Sequence, residues 1–100
     1  MPAIRAGLLK LDKDVKVVVL KADPKAGPED LVTVVPFIKS KPKSGVRYHE
    51  VNTFYGDIWV LVRDVYSTRA ANLKNRWSPL DHLKSHQFAP LKAAVDKASE

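Results

Sequence analysis

Two short runs of β-branched residues constrain this chain most. Residues 15–22 read VKVVVLKA and residues 31–39 read LVTVVPFIK. Valine and threonine pack well on a pleated surface and lose rotamer freedom in a helix. Each run is also too short for a typical helix, so both are read as strands. Between them DPKAGPED, residues 23–30, holds two prolines and a glycine and is read as a loop. Pro36 stands inside the second run and cannot donate a ladder hydrogen bond. It marks that strand as an edge, or marks a bulge there.

The rest of the chain extends the pattern. Residues 3–11 form a weak first strand and residues 46–53 (VRYHEVNT) a strand with mixed faces. SKPKSG, residues 40–45, is a basic turn, and FYGD, residues 54–57, a tight one. IWVLVRDVY, residues 58–66, is the most apolar stretch and is read as the central strand, buried on both sides. Residues 67–76 read as a turn or a short helix. Ser78, Pro79 and Asp81 then have the form of a helix start, with serine as cap and proline in the first turn. Pro90 is expected to open a last helix, with Leu91, Ala94, Val95 and Ala98 on one stripe. The expected fold is a single domain over residues 1–100, mainly β with C-terminal helices (α+β). It is a small SH3-like antiparallel barrel of about five strands, with helices near 79–86 and 90–98.

Composition narrows the function. At 100 residues and 45% hydrophobic content, the chain can build a core without staples. It has no cysteine, which excludes disulfides, thiolate metal sites and cysteine nucleophiles and fits a reducing, cytoplasmic setting. The longest purely aliphatic or aromatic run, residues 58–62, is far short of a membrane span. No basic stretch followed by a long apolar core opens the chain, so no export signal is expected. There is no P-loop, no dinucleotide fingerprint and no serine-hydrolase elbow.

Charge is concentrated in the middle. The formal net charge is +6. Lys39, Lys41, Lys43 and Arg47 against Glu50 give residues 31–56 an excess of three. Arg63, Arg69, Lys74 and Arg76 against Asp57 and Asp64 give residues 57–78 an excess of two. Tyr48, Phe54, Tyr55, Trp59, Tyr66 and Trp77 fall in the same segments. Cations hold phosphates and aromatic faces stack bases, so single-stranded nucleic acid is the expected partner. The binding candidates are Lys39, Lys41, Lys43, Arg47, Arg69, Lys74 and Arg76. The plain structural alternative makes the aromatics core and the lysines a solvated loop.

Three residues are candidates for catalysis. Arg63 and Asp64 interrupt an apolar stretch and should sit at a sheet end, because two charges buried unpaired are costly. An arginine can stabilise a phosphorane, and a carboxylate can move a proton or orient the arginine. His49 is the natural base near neutral pH and shares a strand face with Arg47. Each also has a structural reading, as a strand-terminating pair and an ordinary surface histidine. His82 and His86 stand four apart on an expected helix, a weak metal signal without an obvious third ligand, so no metal and no cofactor are expected.

From residue 31 onward the order resembles the MazF/PemK family of toxin ribonucleases. Val34, Val35, Pro36 and Phe37, followed by Ile38, Lys39 and Ser40, resemble the family's V-V-P-hydrophobic-T-S strand. WVLVRDVYSTRAANLKNRW places Asp64 and Leu73 at the family's aspartate and leucine positions. The resemblance implies a metal-independent endoribonuclease acting on single-stranded RNA, with Arg63 and Asp64 at its centre and His49, Arg47 or Arg69 assisting. It also implies a homodimer and neutralisation by an acidic antitoxin-like protein segment. Lys16 stands at the family's proline and Ile38-Lys39 at its Thr-Ser. The alternative is therefore a non-catalytic barrel that binds nucleic acid or protein, with degenerate catalytic positions.

Overall fold

The computed structural model describes residues 6–23, 25, 27–53, 56–74 and 83–98. Seven strands follow in order: β1 (Leu9–Asp12), β2 (Val15–Lys21), β3 (Leu31–Ile38), β4 (His49–Thr53), β5 (Gly56–Val60), β6 (Tyr66–Arg69) and β7 (Leu73–Lys74). A turn of 3-10 helix, Ala70–Asn72, joins β6 to β7, and one α-helix, α1 (Ser85–Ala98), comes last. All pairings are antiparallel. They run β4-β5-β3-β2-β1-β7, with β6 also on β3. The class is mainly β with a C-terminal helix.

The valine runs form the middle of this sheet for a simple reason. Side chains alternate along a strand, and both faces of β2 and β3 are buried. Val18 and Leu20 of β2 join Val35 and Phe37 of β3 on one face. Leu9, Val51, Ile58 and Val60 add to that face, and Leu91 and Val95 of α1 cover it. Val17 and Val19 join Val32 and Val34 on the other face, against Ala70 of the 3-10 turn. Leu20 has no partner in the ladder, since Val19 pairs with Val34 and Lys21 with Thr33. Pro36 pairs in register with Val17, so the bulge expected there is not formed; the register shift falls at Leu20 of β2.

Pro36 itself is in a central strand, not an edge. β6 pairs with the first half of β3, as far as Val34 opposite Tyr66. β5 pairs with the end, from Phe37 opposite Val60. The carbonyl of Pro36 accepts from Leu61 N at 2.9 Å, so its missing N–H falls on the same side, where one partner strand gives way to the next. No ladder bond is lost there. The stretch 58–66 is accordingly not one central strand. Residues 61–65 stand opposite only Val35 and Pro36 and loop out between β5 and β6. Asp64 N donates to Leu61 O at 2.9 Å to close the turn.

The sheet is strongly curled. β1 and β6 are separated by β3 and β2, about 14 Å in a flat sheet. Yet Tyr66 of β6 donates to Asp12 of β1 at 2.6 Å. Only a sheet folded over its smaller core allows that bond. The ladder path itself ends at β7 and is open, the return from β6 running through the 3-10 turn.

One α-helix occurs among the described residues. The helix near 79–86 falls largely on residues outside them. The last helix starts at Ser85 instead of Pro90, which stands inside it. The start is fixed by Gln87, whose Oε1 accepts from Lys84 N at 3.0 Å, while Gln87 N and Phe88 N both donate to Lys84 O. This is half of a capping box. Leu83 N donates to Gly7 O at 2.8 Å, tying the approach to α1 to the segment before β1. Gly7 has φ of +82°, and a side-chain carbon there would meet Phe88 at 3.3 Å. Only glycine meets both demands.

Candidate nucleic-acid interface

β3 ends at Ile38 and β4 begins at His49, so residues 39–48 connect them without ladder pairing. Prolines and lysines cannot fill a strand there: Pro42 lacks a donor, and three cations on alternate positions repel one another when packed. Val46 N donates to Lys43 O at 3.3 Å, and Gly45, at φ +93°, turns the chain with open space around it. Lys39, Lys41, Lys43 and Arg47 are all exposed. Val46 is 46% and Tyr48 38% exposed, an apolar surface set among four cations. The expected basic turn is thus longer than SKPKSG and takes in residues expected to begin a strand.

The remaining binding candidates lie elsewhere. Arg69 ends β6, exposed, 3.6 Å from Glu29 in a solvent-facing ion pair. Such a pair is weak and leaves the guanidinium open to exchange partners. Lys74 ends β7, its side chain outside the described residues, and Arg76 is also outside them.

Arg63 and Asp64 are exposed on the 61–65 turn. They do lie at a break in the sheet, as two adjacent charges require, and are fully served by water. His49 is half-buried on β4. It lines a cleft of about 250 Å³ between β4 and the start of α1, with Glu50, Asn52, His86, Gln87 and Pro90. Arg63 and Asp64 are not among its lining residues. The cleft that holds His49 is thus lined without the Arg63–Asp64 pair. His86, paired in the sequence with His82, instead meets the cleft of His49. Nothing in local spacing signals this, because the two residues belong to different elements. No group of three or more potential metal ligands occurs among the described residues.

No family model matches this chain. No curated protein matches it either. No helix among the described residues is long and apolar enough to cross a membrane.

A second polar cluster lies inside the curl. Asp12 is buried and accepts from Tyr66 at 2.6 Å and from Thr68 at 3.3 Å, while Asn72 donates to the Thr68 hydroxyl at 3.1 Å. Burial, and then the bond to Asp12 and its negative charge, push the Tyr66 hydroxyl well above its ordinary pKa. Lys10, also buried on this side, has its pKa lowered by desolvation. The alternation of 10 with 12 and of 66 with 68 is the sequence signal for this cluster: polar residues on the inward face of short strands.

Proposed function

We propose that this chain binds single-stranded nucleic acid through residues 39–48. The observation that supports this reading is one loop that presents exposed Lys39, Lys41, Lys43 and Arg47 beside exposed Val46 and Tyr48. Cations on a projecting loop reach backbone phosphates, and a tyrosine face takes a base. Arg69, opposite Leu31 at the other end of β3, is a separate exposed cation. On this reading the curled sheet is an SH3-like barrel whose circuit is completed by the 3-10 turn.

Toxin-type endoribonuclease activity is the second reading, supported by the resemblance around Pro36 and Asp64 and by the exposure of the Arg63–Asp64 turn. The acidic antitoxin-like segment and the homodimer belong to that reading, since the same cationic loop attracts an acidic peptide. The test is anisotropy of labelled single-stranded RNA, single-stranded DNA and a glutamate-rich peptide across a salt series. The expected result is RNA and DNA binding that weakens steeply with salt. Replacing Lys41, Lys43 and Arg47 by alanine should reduce the log–log slope by about 2, at ~0.7 per phosphate contact. Preferential binding of the peptide, or an unchanged slope, overturns the nucleic-acid reading.

A further inference from the structure

The basic loop runs directly into His49, and His49 does not stand alone. His86, the second residue of α1, lines the same cleft from the opposite wall. Gln87 fixes that wall in place. Its Nε2 donates to the carbonyl of Asn52 on β4, and its Oε1 caps Lys84 N, so helix and strand are tied across the cleft. Pro90 has no N–H to give the carbonyl of His86, and it also lines the cleft. Each wall of the cleft carries polar side chains, beside the apolar Val51 and Pro90. Among the described residues Glu50 is the one other titratable side chain lining it.

Imidazole is the side chain that both takes and gives a proton near neutral pH. Two imidazoles on facing walls are the two groups that transesterification of RNA needs, because RNA carries its own nucleophile in the 2′-hydroxyl. We propose that the cleft between β4 and α1 is an RNA-cleavage centre in which His49 and His86 are the acid–base pair. The proposal rests on the reading of residues 39–48 as an RNA-binding loop. One imidazole, neutral, takes the proton of the 2′-hydroxyl as the 2′ oxygen bonds to phosphorus. The bond from phosphorus to the 5′ oxygen breaks, and the other histidine, as imidazolium, gives its proton to that oxygen. The products are a 2′,3′-cyclic phosphate and a 5′-hydroxyl. One proton is gained and one lost by the protein, and no co-reactant is needed.

The full chain, His49→Gln and His86→Gln are purified in parallel and given a labelled single-stranded RNA of about 20 nucleotides, with its 2′-O-methyl counterpart as control. Binding is read by anisotropy and cleavage by product end-group. The expected result is a cyclic phosphate end from RNA alone and a bell-shaped dependence of rate on pH. Each variant should lose about 100-fold or more in rate, with RNA affinity held within about twofold, and should flatten one limb of the bell. His86 is exposed, so its variant keeps the fold and is decisive even where His49→Gln does not. RNA that is bound with normal salt dependence and left intact by the wild-type chain overturns the cleavage proposal and leaves the binding reading standing. Cleavage that persists in His86→Gln also overturns it. Absence of RNA binding overturns the loop reading and the proposal with it.

Discussion

Replacing Tyr66 by phenylalanine tests the buried cluster that holds the curl closed. The hydroxyl donates to Asp12 Oδ2 at 2.6 Å, within the range for a bond to a charged acceptor. Asp12 is only 3% exposed, so water does not readily replace the lost donor. Thr68, at 3.3 Å on the other oxygen, is then its remaining side-chain donor among the described residues. A bond to a charged group contributes about 1.5–3 kcal/mol, and the carboxylate stays buried in the variant. Tyr66 itself is 37% exposed, so solvent screens part of the bond. The expected cost is about 1–2 kcal/mol, a fall in Tm of roughly 4–16 °C for a domain of this size. The effect carries its own pH signature. The folded-state pKa of Tyr66 is raised above the unfolded value, so its contribution is fully present below pH 10. It is lost as the pH rises past the unfolded pKa toward the folded one, because only the unfolded chain then releases the proton. Urea titrations of both proteins at pH 7 and near pH 11 read this difference. The gap should be widest at pH 7 and narrow at the higher pH. A gap under about 0.5 kcal/mol at pH 7, or one that does not change with pH, refutes the argument.

Three further outcomes are expected. Lys10→Met removes a buried ammonium whose pKa burial lowers, and should stabilise the fold by about 1–2 kcal/mol at pH 7 in urea titration. That gain should shrink as the pH approaches 10.5, where the unfolded lysine also loses its proton. Lys13, at φ +56° in the two-residue turn between β1 and β2, occupies a left-handed conformation costly for a side chain. Lys13→Gly should raise stability by about 0.5 kcal/mol after glycine's own entropy cost, a small increase in the urea midpoint. Gln87→Ala removes the cap on Lys84 N and should cost about 1 kcal/mol, read as loss of helical circular dichroism and faster exchange of the Lys84 amide.

The strands were most legible where burial is two-sided. β2 and β3 lie within a residue of the runs read as 15–22 and 31–39, because valine on both faces leaves few alternatives to a covered strand. Residues 58–66 misled for the same reason. Val62 is buried and Leu61 and Val65 half-buried, yet all three belong to a turn, so apolarity there marks the core under a loop. Pro36 was read by its missing donor alone, when what matters is which side of the strand the gap falls on. In the candidate site, the cations at 39–47 were visible because charge on a Pro- and Gly-containing loop stays at the surface. The pairing of His49 with His86 was not, since it depends on how α1 lies over β4, which no local pattern encodes.

The partner switch along β3 also orders the assembly of the fold in time. β2 with β3 and β4 with β5 are closed by nearby residues, whereas β1 meets β7 only through Leu11 opposite Lys74 and Asp12 opposite Leu73. That seam holds β7, the edge of the described ladder, to β1 by just two residue pairs, and its loop entropy is the largest in the sheet. Kinetically, the β1–β7 seam is therefore the last to form in refolding and the first to open. Its backbone amides should report partial unfolding long before those of Val18 and Val35.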